Sequence, residues 1–188
     1  PMASNHDDFR RWLPDLLQAT DLRIAMYGAD VPILQVSGDI VARRQADAPG
    51  NIARLQFSGD GLDLNVGTDR RRAALHADID IGRRWLEMTG LSLSFDGGQL
   101  LASGSYEAGG ISATTQIQLD MGATRGLLPA AWQSRLGMAT GELQITAQAL
   151  GLLHDPQIHA SFQAHDVALQ GAKIDSARGR GTWTHATS

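Results

Sequence analysis

The sequence predicts a mainly β protein built from antiparallel strands. Three observations carry this: apolar and polar residues alternate with a period of two from Thr20 onward, turn-forming residues separate the alternating runs, and the joining loops are short. Parallel neighbours need long crossovers, so consecutive strands joined by short loops are antiparallel.

Taken in order, the chain opens with Ser4, Asp7 and Asp8 ahead of Phe9, Trp12, Leu13, Leu16 and Leu17. An N-cap residue, first-turn acids and apolar spacings of three and four predict an amphipathic helical lead over residues 1–19, kinked at Pro14. The β segment follows over residues 20–188. Its alternating rows are Leu22, Ile24, Met26; Leu34, Val36, Ile40; Ala53, Leu55, Phe57; Leu62, Leu64, Val66; and Ala73 to Ile81. They continue with Leu91, Leu93, Phe95; Ile111 to Met121; Leu143, Ile145, Ala147; Ile158 to Ala164; Val167, Leu169; and a last strand with Ile174 and Trp183. Turn signals lie at Asp30 with Pro32, Ala48-Pro49-Gly50-Asn51, Gly59-Asp60-Gly61, Asp96-Gly97-Gly98, Ala108-Gly109-Gly110 and Gln170-Gly171. One segment departs from the period. Pro129 near a helix start, Leu128, Trp132 and Leu136 at spacings of four, and Gly137 at the end predict a short helix at about residues 127–136.

About ten strands with one apolar face each must hide that face. A barrel, a two-sheet sandwich, or one sheet curled into a trough would do so. Only 5% of residues are aromatic, and many inward positions are Ala, Gly, Thr or Met. Small linings leave room for an acyl chain, whose burial is worth ~0.8 kcal/mol per methylene without a specific polar partner. They equally permit close sheet packing, and on the alternation alone that reading carries more weight.

Sixteen Lys plus Arg against twenty Asp plus Glu give a formal charge of -4, so there is no strong basic face for nucleic acid. The chain has no cysteine, which removes disulfides, thiolate catalysis and cysteine-bound zinc. No apolar run approaches the roughly 18–20 residues of a membrane-spanning helix. Pro1-Met2 is not a natural opening, and the sequence stops at Thr184 to Ser188 within an alternating pattern, which predicts a piece of a longer protein.

Motifs of chemistry are sparse. None of His6, His76, His154, His159, His165 and His185 has the i, i+4 partner of a zincin helix, and His159 and His165 share the polar side of one strand. Asp78 and Asp80 also share a strand face, where a surface role outweighs acid-base work. Arg43-Arg44, Arg70-Arg71-Arg72 and Arg83-Arg84 fall at strand ends or loops, suited to anionic headgroups or to edge protection and solubility. The glycine motifs lack a dinucleotide site's context, and there is no serine elbow. The sequence therefore predicts neither an enzyme, a metal site nor a cofactor.

The stretch from Met138 to Phe162 contains Gly141-Glu142-Leu143-Gln144-Ile145, then Gly151-Leu152-Leu153-His154-Asp155-Pro156-Gln157-Ile158. This Gly-started strand leading to a Gly-x-Leu-x-Asp-Pro-x-Ile turn, with Asp166-Val167-Ala168-Leu169-Gln170-Gly171 beyond, resembles the AsmA-like superfamily and within it the TamB family. The likeness covers residues 138–183 well, and residues 20–121 only in style. Pro156 has its own physical sense, since it forbids helix at Asp155. The resemblance implies a taco-like apolar groove in a periplasmic protein anchored in the inner membrane. Such proteins are associated with phospholipid passage between the membranes and with outer-membrane protein assembly through a barrel partner such as TamA. It carries no catalytic residues. The groove lining it implies is Leu22, Ile24, Leu62, Leu64, Val66, Leu91, Leu93, Phe95, Ile117, Leu119, Leu143, Ile145, Ile158 and Phe162. A closed β-sandwich binding or adhesion module is the alternative.

Overall fold

The computed structural model describes residues 16–28, 31–45, 53–66, 69–124, 139–169 and 172–184. They form one antiparallel sheet of ten strands whose spatial order is the chain order. The strands are β1 (Leu16–Gly28), β2 (Val31–Gln45), β3 (Ala53–Val66), β4 (Asp69–Ile81) and β5 (Trp85–Phe95). Then come β6 (Gly98–Glu107), β7 (Gly110–Asp120), β8 (Thr140–Leu152), β9 (Asp155–Leu169) and β10 (Ala172–Trp183). The sheet is curled, and among the described residues β1 pairs only with β2 and β10 only with β9. It is neither a two-sheet sandwich nor a closed barrel.

Opposed residues of an antiparallel ladder share a face, so the ladders can be followed across the sheet. One apolar row runs Leu62, Ala73, Phe95, Gly98, Leu119, Leu143, Ala164, Ala177. The next runs Leu75, Leu93, Leu100, Ile117, Ile145, Phe162, Gly179. A third, Phe57, Ala77, Leu91, Ala102, Thr115, Ala147, Ala160, Gly181, is mostly small. A fourth runs Leu55, Ile79, Met88, Gly104, Ala113, Ala149, Ile158, Trp183. The opposite face is polar: a single row carries Ser94, Gln99, Gln118, Gln144, Gln163 and Arg178.

Irregularities are distributed unequally along this sheet. Every ladder from β1 to β6 contains a register shift, while the β6–β7, β7–β8 and β9–β10 ladders contain none and β8–β9 has one at its first pairs. Bulges bend a strand and increase its twist, and the packed part of the apolar face lies on this side of the sheet. There Ile40, Leu62, Leu64 and Ala73 form a buried cluster, with Phe57, Leu75, Leu93 and Phe95 packed against it. Gly38, with φ of 146°, makes this possible, because a Cβ at that position would stand 2.7 Å from Leu62 Cδ2.

Several sequence expectations change. Gly59-Asp60-Gly61 is not a hairpin turn but a bulge inside β3, so two expected strands are one. The rows ending at Ala164 and Leu169 are likewise one strand, β9, irregular at Asp166 with φ of 52°. β6 was not among the expected rows, because Leu100 and Leu101 are adjacent and Gly104 leaves one inward position without a side chain. The helical lead does not extend to residue 19: Leu16 to Ala19 pair with Arg43 to Ile40 in β1. From Leu16 the backbone finds a ladder partner, which satisfies its hydrogen bonds without a helix. Residues 1–15 of that lead and the short helix at 127–136 lie outside the described residues. No described residue is helical, and no described helix is long and apolar enough to cross a membrane.

Candidate functional site: an apolar groove on the inner face

Past β7 the inner rows open. A groove of about 810 Å³ lies over β8, β9 and β10, floored by Leu143, Ile145, Ala160, Phe162, Ala164, Ala177 and Gly179, and bounded by Met121, Val167, Ile174 and Trp183. Apart from Ser161 and Arg180 at its border, the lining is apolar or glycine. Its size falls within the ~300–1,000 Å³ of small-molecule sites. Phe162 is 43% exposed and Trp183 59%. The Phe162 ring lies across Gly179, its ladder partner, where a Cβ would collide with it, so the ring lies flat on the floor. Beyond this groove, at the end of the sheet where β5 begins and β6 ends, Leu86 and Tyr106 face each other, both exposed.

Of the residues expected to line a groove, Leu143, Ile145 and Phe162 line this one. Ile158 is exposed on the same face as the ladder partner of Trp183, while Ile117 and Leu119 lead into the groove along the rows that pass through Phe162 and Ala164. The structure separates the others from it. Leu62 is 0% and Leu64 2% exposed, so neither offers surface to a guest, and Leu93 and Phe95 pack against them. Leu91 sits between Ala77 and Ala102. Leu22, Ile24 and Val66 are placed by register alone, opposite Gly38, Val36 and Asp69.

Sequence reading missed Met121, Val167, Ile174 and Trp183 as lining residues. Val167 and Ile174 are out of phase with Ala164 and Ala177 by simple alternation. The left-handed backbone at Asp166 accounts for it, since an irregularity there resets which side chain faces inward.

The polar face carries the charges. Arg54 donates to both carboxylate oxygens of Asp80, at 2.5 and 2.7 Å, and Asp80 is 6% exposed. This side chain, expected at the surface, is instead buried in a bidentate pair that raises the Arg54 pKa still further. Asp78 accepts from Gln56 Nε2 at 3.2 Å and lies 3.3 Å from His76 Nε2. Asp63 accepts from Arg70 at 2.7 Å, and that hydrogen bond holds its carboxyl below the ordinary value and raises Arg70. His159 Nδ1 is 3.1 Å from Thr182 Oγ1. Among the described residues no three His, Asp, Glu or Cys converge as a metal site.

No family model, no curated protein and no solved structure matches the chain. The resemblance of residues 138–183 to the AsmA-like superfamily therefore stands on its motif alone.

Proposed function

We propose that this chain is a segment of a periplasmic bridge-like protein, one that carries phospholipid between the inner and outer membranes with the hydrocarbon tails held on its apolar face. The supporting observation is the open groove over β8–β10, continuous with apolar rows that run to it from β3 and β4. Aliphatic contact suits a sliding guest: each buried methylene contributes ~0.8 kcal/mol and no polar group fixes its position. Headgroups stay in water, and the segment needs neither catalysis nor a cofactor. In this reading the parent is anchored in the inner membrane.

Phospholipid extracted from the purified protein and resolved by native mass spectrometry tests the reading. Lipid is expected on the native chain and absent from Phe162→Arg, at an unchanged thermal midpoint because Phe162 is half in solvent. A lipid-free native chain, or one equally loaded after that substitution, overturns it. A second role, supporting outer-membrane protein assembly with a barrel such as TamA, draws on β10, which has one ladder neighbour among the described residues. An added strand would pair there. Photocrosslinking distinguishes the two: lipid adducts from Ile145 report the groove, and protein adducts from Ser176 report the edge.

A further inference from the structure

Arg71 occupies a position that the alternation reserves for an apolar side chain. It is the ladder partner of Leu64, on the inner face, and its side chain is only 14% exposed. From β4 its guanidinium reaches past the ends of β5 and β6, donating to the Asp96 carbonyl oxygen at 2.7 Å and to the carbonyl oxygen of Ala123. The Asp96 carboxylate, 3.7 Å away and 92% exposed, adds little.

The turn that Arg71 holds is well built. The Asp120 carboxylate accepts from the N–H of Gly122 at 2.8 Å and of Ala123 at 3.0 Å. The Asp120 carbonyl accepts from the Thr124 N–H at 2.9 Å and its hydroxyl at 2.5 Å. Met121 N–H bonds the Gly141 carbonyl at 2.8 Å, tying the turn to β8. Ala123 packs onto Gly97, where a Cβ would collide with it, and Thr124 is buried. Met121 lines the groove beside Leu143, so the turn stands between the packed corner and the open groove.

Removing a guanidinium from water onto an apolar face is costly unless its donors are satisfied. A leucine at this position would have continued the stripe without that cost, and would have left the turn unpinned. We infer that Arg71 is a positioning residue that holds the Met121–Thr124 turn as the end wall of the groove and so limits the length of hydrocarbon the groove accepts.

The length limit rests on the lipid reading; the pinning of the turn does not. Displacement of a fluorescent fatty acid by saturated acids of increasing length measures the first. Affinity of the native chain should rise roughly fourfold per methylene and then level off where the chain end meets the wall. In Arg71→Met the levelling should move at least two methylenes further out, giving a gain of roughly tenfold or more for the longest acids. Met121→Ala, which leaves Arg71 in place, should shift it the same way. The second readout uses the absence of cysteine. The Ala123→Cys thiol should react slowly with a disulfide reagent, and at least tenfold faster when combined with Arg71→Met, while a Ser112→Cys thiol on the polar face is unaffected. An unchanged levelling point in both variants overturns the wall, and an unchanged Ala123→Cys rate overturns the pinning. If the native chain binds no acid, the groove reading fails together with the length limit, and the thiol rates still decide what Arg71 does.

Discussion

Leu62 on β3 and Phe162 on β9 are apolar inward residues of one continuous sheet, yet the first is 0% exposed and the second 43%. Both halves place apolar residues on the inner face, so an inward apolar position does not by itself decide burial. Backbone irregularity does. Register shifts in every ladder from β1 to β6 curl the apolar face upon itself and bring Ile40, Leu62, Leu64 and Ala73 together, whereas the regular ladders among β6, β7 and β8 and between β9 and β10 leave theirs spread. One hydrophobic pattern thus supplies stability at one side of the sheet and an accessible surface at the other.

The strongest way to break this comparison is truncation on each side. Leu62→Ala should cost about 2–5 kcal/mol in urea unfolding, since it empties a sealed site, whereas Phe162→Ala should cost about 1 kcal/mol or less. Equal losses would mean that the two halves are packed alike. Glycine substitutions sharpen the same contrast at smaller scale. Gly38→Ala strains a φ of 146° and collides with Leu62, for an expected loss of roughly 1–3 kcal/mol. At Gly179→Ala the nearest atoms to the new Cβ all belong to the Phe162 ring, which can swing toward solvent, and the unfolding midpoint should hardly move.

The smallest expected effect is electrostatic and belongs to the curled half. Asp63 titrates below its ordinary 3.8 because Arg70 bonds its charged form. A lowered native pKa stabilises the fold above the unfolded value, and the contribution is lost as pH falls through 3.8 toward the native one. Thermal midpoints of the native chain should therefore drop more steeply than those of Asp63→Asn between about pH 5 and about pH 2. Parallel curves would remove the Arg70 bond from the account.

How much of this was legible follows from the same asymmetry. Alternation identified the antiparallel sheet and most of its strands, because burying one face demands a period of two whatever the curvature. It did not reveal where the sheet would curl, since bulges at Gly59–Leu62 and at Asp166 look in sequence like turns between separate strands. Only three of the groove's lining residues were visible as such, Leu143, Ile145 and Phe162; Val167 and Ile174 were hidden by the phase change at Asp166. Arg71 and Asp80 were read as surface charges, because a buried charge shows itself only through partners distant in sequence: the Ala123 carbonyl for one and Arg54 for the other.

The strict correspondence between chain order and sheet order has a separate outcome. With each strand touching principally its predecessor and successor, assembly can proceed as a zipper, one hairpin at a time, the longer connection between Asp120 and Thr140 being the exception. Such a ribbon approximates a linear array of nearest-neighbour pairings, crossed by the bond from Arg71 on β4 to the Ala123 carbonyl beyond β7. Strands can then be added or lost at an edge of the sheet without disturbing the remaining ladders, which makes span an adjustable property of the molecule.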